Sequence, residues 1–200
     1  MKAKKILSVL IVALLFSGCV VFSFYPIYTE DDIFPNDILT GVWTDENEEV
    51  SWTFQHPYNG EKIPENLDKK RYLLNAIDEE GKESEYAVHL IKLGEHYIAD
   101  FFLEDFDGYD ELGLAMFHIV PVHTFAKLTV SNDTIMFNWF DPEWLEDLID
   151  KNKIRIHHED NGEYILLTAN PKELQKFVQK YVEEEAAFED GVDIGLIRKK

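Results

Sequence analysis

One cysteine, Cys19, stands in 200 residues, so the chain has no internal disulfide and must hold its fold by its core. Basic residues are scarce: 19 Lys and Arg face 39 Asp and Glu, a net charge of −20. A nucleic-acid binder needs a basic face to neutralise phosphates, so that class is excluded. The same balance excludes an electrostatic hold on anionic lipid. The chain carries no G-x-S-x-G elbow, P-loop, dinucleotide fingerprint or H-E-x-x-H. No cofactor is therefore expected, and the chain is expected not to be an enzyme. A carboxylate pair for glycoside hydrolysis among the 39 acids is the one catalytic arrangement left open. Internal repeats and low-complexity blocks are also absent. Aromatics at 14% and apolar residues at 46% exclude a disordered chain and can fill one sizeable core.

The longest hydrophobic run is short as well. Lys2, Lys4 and Lys5 form a basic tip, followed by the uncharged "ILSVLIVALLF" of residues 6–16. A basic tip before an apolar run of this length has the layout of a secretory signal peptide, and the run falls short of the ~20 residues that cross a bilayer. Ser17-Gly18-Cys19 then resembles the lipobox of bacterial lipoproteins, with Phe16 where that pattern has leucine and Leu15 one place off. The resemblance implies removal of residues 1–18 and acyl chains, palmitate among them, on Cys19. It implies a lipid anchor in the cell envelope, with the folded part outside the cytoplasm. Two or more chains anchor stably where one is marginal. Val20, rather than aspartate, follows the cysteine and leans toward the outer membrane. The uncharged stretch continues to Tyr28, so a cleaved ordinary signal or an uncleaved single span is the alternative; either way the rest of the chain is exported. Cleavage removes three lysines and no acid, leaving the mature chain more acidic still.

Residues 19–38 read as anchor and tether, interrupted by Pro26 and Pro35, and 39–200 as one β-rich domain. From Thr40 the pattern has period two. "TGVWTD" and "EVSWTFQH" set Trp43, then Val50, Trp52 and Phe54, on one face of successive strands. "RYLLNAID" and "SEYAVHLIKL" bracket the turn "EEGKES", and "HYIADFFL" follows. "LAMFHIVPVHTFAKLTV" is expected as a long strand bent or at an edge at Pro121, which lacks a ladder donor. "TIMFNWF" is another strand, and "NKIRIHHED" with "EYILLTA" makes a hairpin across Asn161-Gly162. Asp141-Pro142 opens one helix with Trp144, Leu145, Leu148 and Ile149 as its stripe. Asn170-Pro171 with Glu173 opens a second, near the C-terminus, with Leu174, Phe177, Val178 and Tyr181 as its apolar face.

Eight to ten short antiparallel strands with two helices are best closed into a barrel, which removes exposed edges. Gly41-Val42-Trp43 resembles the G-x-W of the lipocalin family, which implies an eight-stranded barrel, a helix packed on its wall and an arginine covering the tryptophan. The family's second motif is absent, and no arginine stands out for the covering role. The chain also resembles bacterial lipoproteins of this size, which implies no activity. The fold class is thus mainly β, a lipocalin-like antiparallel barrel with two helices.

Aromatics at strand spacing either fill such a barrel or line a pocket in it. Trp43, Trp52, Phe54, Tyr86, Phe101, Phe117 and Trp139 are the pocket candidates. A small apolar ligand in the barrel is one expected role; a filled core acting through its surface on an envelope protein is the other. No metal is expected: His118 with His123, and His157 with His158, alternate faces, while His89 and His96 straddle a turn. Asp105, Asp107 and Asp110 around Gly108 offer oxygens for calcium but miss the EF-hand spacing and read as solvated surface.

Overall fold

A computed structural model describes residues 20–33, 36–57 and 70–199. The signal-peptide and lipobox residues, Cys19 included, lie outside that set. Eleven strands form: β1 Phe22–Ser23, β2 Gly41–Thr44, β3 Ser51–Gln55, β4 Tyr72–Ile77, β5 Glu83–Leu93, β6 His96–Phe106, β7 His123–Ser131, β8 Thr134–Trp139, β9 His158–Asp160, β10 Ile165–Leu167 and β11 Asp193–Arg198. Strands β2 to β8 run as an up-and-down meander. β11 pairs with both β8 and β2, and β6 with β7, so eight antiparallel strands close into a barrel. The expected barrel is present, although β5 and β6 are eleven residues long rather than short.

Their length has a packing reason. Along Ala87–Ile91 every residue is buried, because one face of the strand looks into the barrel and the other lies under a second layer. That outer layer has its own core: Ile91, Ile98 and Phe125 of the outer wall pack with Val21, Ile27, Leu174 and Phe177. Two helices supply six of its eighteen buried side chains. α1, Pro142–Asp150, is capped by the Asp141 side chain accepting from Glu143 N–H. α2, Pro171–Tyr181, is capped by Asn170 accepting from Glu173 N–H. Leu145 and Leu148 of α1, and Leu174, Phe177, Val178 and Tyr181 of α2, are buried as their spacing predicts.

The segment expected as a tether is packed. Val21, Ile27 and Ile33 are buried, and β1 pairs with the start of β7 through Phe22 and Ser23. The main chain at Ile27 is held from two sides: its N–H donates to Asp100 Oδ2 at 3.0 Å, and its carbonyl accepts from Gln175 Nε2 at 2.9 Å. Asp100 is fully buried, and its other oxygen accepts from His123 Nδ1 at 2.7 Å. A carboxyl on the barrel wall thus fastens the N-terminal segment beneath α2 and satisfies a buried N–H that would otherwise be costly.

Two stretches depart from expectation. Residues 113–118, "GLAMFH", form 3-10 turns entered through Gly113 at φ 55°, and β7 begins only at His123, after Pro121. The Asn161-Gly162 hairpin forms, with Asn161 Oδ1 accepting from the N–H groups of Glu163 and Tyr164. It lies outside the barrel, though: β10 pairs in parallel with β1. The eighth barrel strand is β11, from "DIGLIR", a stretch whose two flanking charges and internal glycine hide its alternation.

Candidate functional site

Strand alternation sends a column of side chains inward from each barrel strand. The meander order puts the β2–β3, β4–β5 and β6–β7 connections at one end of the barrel and the β3–β4, β5–β6 and β7–β8 connections at the other. Toward the second end the interior is filled. Trp43 has no exposed surface, and its indole N–H donates to Leu39 O at 2.7 Å. Arg198, paired with Trp43 in the β11–β2 register, lays its guanidinium 4.1 Å from the ring centroid and donates to Thr40 O and Ile38 O. This is the covering arginine that no sequence feature singled out. It also explains Gly41: the backbone there has φ 127°, and a Cβ would sit 2.6 Å from Arg198 Nη1. Phe54 is buried against Tyr72 and Phe137.

Tyr72 belongs to this filled part, and its hydroxyl donates to Asn36 Oδ1 at 3.2 Å. Burial pushes its pKa up from the ordinary 10 to about 12. The unfolded chain loses this proton near pH 10 and the folded chain only near 12, so folding stability declines as pH rises through that window and levels off above it. Denaturant midpoints measured across the window should show this decline, and the Tyr72→Phe chain should show a smaller one, the part owed to the buried Tyr86 remaining.

Toward the first end the barrel is open. A cavity of about 830 Å³ lies there, within the size range of small-molecule sites. Four of the expected aromatics line it: Trp52, Tyr86, Phe101 and Trp139. They form one connected set, with Phe101–Trp139 centroids 5.2 Å apart, Trp52–Phe101 6.0 Å and Tyr86–Phe101 6.5 Å. Val50, Ala76, Val192 and Ile194 complete an apolar wall, and Val20 from the N-terminal segment reaches the same cavity. Polar groups in the wall are few. Trp139 Nε1 donates to Thr124 Oγ1 at 3.3 Å, and burial raises the Tyr86 pKa. The β4–β5 turn forms a charged rim of Asp78, Glu79, Glu80 and Lys82, where Asp78 Oδ1 accepts from the N–H groups of Glu80 and Lys82.

Three candidates sit elsewhere. Trp43 and Phe54 belong to the filled half, and neither reaches the cavity. Phe117 is a correction: 79% exposed, it projects from the β6–β7 connection rather than into the barrel. Gly113, which opens the 3-10 turns, and Pro121 keep this segment out of the ladder. Val192 and Ile194 were missed with β11, whereas Val50 already shared the Trp52 face in the period-two pattern.

The histidines do not converge. His123 pairs with Asp100, His96 lies 3.1 Å from Glu183, His157 faces Glu173, and His89 stacks on Tyr28. The side chain of Asp110, one of the three calcium candidates, lies outside the described set. Among the described residues no group of three or more His, Cys, Asp or Glu stands together as a metal site. Among those residues, too, no helix is long and apolar enough to cross a membrane. Compared with family models, with curated proteins and with solved structures, the chain matches none.

Proposed function

We propose that this chain is an exported bacterial lipoprotein, anchored through lipid on Cys19, whose barrel holds a small apolar molecule. The observation that carries the binding role is the aromatic cavity at the open end of the barrel, walled by Trp52, Tyr86, Phe101 and Trp139. A binding site of this kind needs a large apolar wall and a few polar groups to orient the ligand; Thr124 and Ser84 supply the latter. The arrangement asks for no metal or cofactor and assigns no catalytic residue. The G-x-W with its covering Arg198 supports the lipocalin-like character of the barrel.

A second reading, a lipoprotein acting through its surface on an envelope protein, draws on the exposed apolar residues around Phe117. One experiment separates the parts. The whole chain, produced in a bacterial host and released from membranes in mild detergent, is weighed by native mass spectrometry. A covalent mass equal to residues 19–200 plus acyl chains supports the anchor, and an unmodified chain overturns it. A discrete non-covalent mass lost on organic extraction supports the carrier. A bare barrel from several hosts overturns it in favour of the surface reading.

A further inference from the structure

The β6–β7 connection carries the largest concentration of apolar surface on the described molecule. In a chain with 39 acids, residues 112–122 contain none, and no lysine or arginine. Leu114 and Phe117 are each 79% exposed, and Met116, Ile119 and Val120 are exposed beside them. Together they make five of the eleven large hydrophobics exposed among the described residues, within seven positions of the chain. Grouping of this kind marks a contact surface, whereas single exposed apolar residues need no explanation.

Its place in the fold says what it contacts. The up-and-down order puts this connection at the open end of the barrel, the end of the cavity mouth. Val20, the residue after Cys19, lines that cavity, so a lipid on Cys19 would lie one residue from the same end. Ser23 pairs with His123, the first residue after the loop, so the exposed Phe24 and Tyr25 continue the apolar surface. We propose that the open end of the barrel docks on the lipid bilayer through Leu114–Val120, seating the cavity mouth at the membrane surface.

This inference rests on the lipid anchor at Cys19, which brings the bilayer to that end. The position of the anchor at this end of the barrel selects a bilayer over a protein partner, and the loop's side chains suit one. It offers Leu, Met, Phe, Ile and Val with one histidine and no charged side chain. Such side chains bury a few ångströms into the boundary between headgroups and acyl chains. The acids nearby, Asp105, Asp107 and Glu111 beside the loop and Asp78–Glu80 at the rim, repel anionic headgroups, so the surface fits a zwitterionic one. Docked this way, the barrel exchanges an apolar ligand with the bilayer without passing it through bulk water.

The test uses the whole chain in phosphatidylcholine vesicles with a nitrobenzoxadiazole label on a single introduced cysteine. Leu114→Cys and Phe117→Cys probe the loop. Glu95→Cys, exposed in the β5–β6 turn, probes the far end. Labels at 114 and 117 should emit further to the blue on vesicle addition and lose about fivefold in quenching by iodide, the depth expected of an interfacial segment. The label at 95 should change in neither. Equal quenching at all three positions overturns the docking and leaves the anchor standing. The parent chain, whose only thiol is Cys19, serves as control. Uptake of label there shows Cys19 without lipid and overturns the anchor together with the inference built on it.

Discussion

Replacing Asp100 with alanine should cost about 3–5 kcal/mol of folding stability, measured by denaturant unfolding. The carboxyl is fully buried and accepts two hydrogen bonds, from Ile27 N–H at 3.0 Å and His123 Nδ1 at 2.7 Å. Alanine leaves both donors buried without a partner, at about 1–3 kcal/mol each. The loss should also have a location. Amide exchange should accelerate first along residues 21–33, where the N-terminal segment loses its hold on the barrel wall, and later within β2–β8. Asp100→Asn keeps one acceptor for the Ile27 N–H and should cost clearly less. Equal exchange across the molecule in the alanine variant would show that this carboxyl does not fasten the segment.

The second large effect concerns the cavity. Ala76 lies in its wall, between Trp52 and Ser84 in the ladder. Ala76→Phe puts a ring into the space that an apolar ligand would use. Binding of N-phenylnaphthylamine, read by energy transfer from Trp52 and Trp139, should weaken about a hundredfold, or about 2.8 kcal/mol. Stability should hold or rise, because the ring enters open space; overpacking a filled core would instead cost about 1–3 kcal/mol. Asn75→Phe, one residue away on the outer face, should leave binding unchanged. Unaltered dye binding in Ala76→Phe would place the dye outside the barrel and remove the cavity from the function.

Much of the architecture is legible locally. Asp141-Pro142 and Asn170-Pro171 start helices because their side chains cap N–H groups two or three residues on. Period-two alternation at Val50, Trp52 and Phe54 marks an inward face whatever the strand pairs with. Trp52, Tyr86, Phe101 and Trp139 could be named as pocket candidates on that pattern alone. The same rule misassigned Phe117, since alternation in a short window does not distinguish an extended strand from 3-10 turns led by Gly113.

What stayed hidden is non-local. Arg198 covers Trp43 only because β11 returns, after two helices and a hairpin, to close the barrel beside β2. Asp100 and His123 meet through the β6–β7 pairing, and Ile27 joins them only once the N-terminal segment lies on that wall. Trp43 and Trp52 are opposite neighbours in adjacent strands, yet one is sealed in the filled half and the other lines the cavity. Turns, caps and alternation act over a few residues, so short stretches of sequence dictate them. Which aromatics seal the barrel and which line its cavity depends on closure and depth, set by contacts between distant segments, and the folded barrel alone decides it.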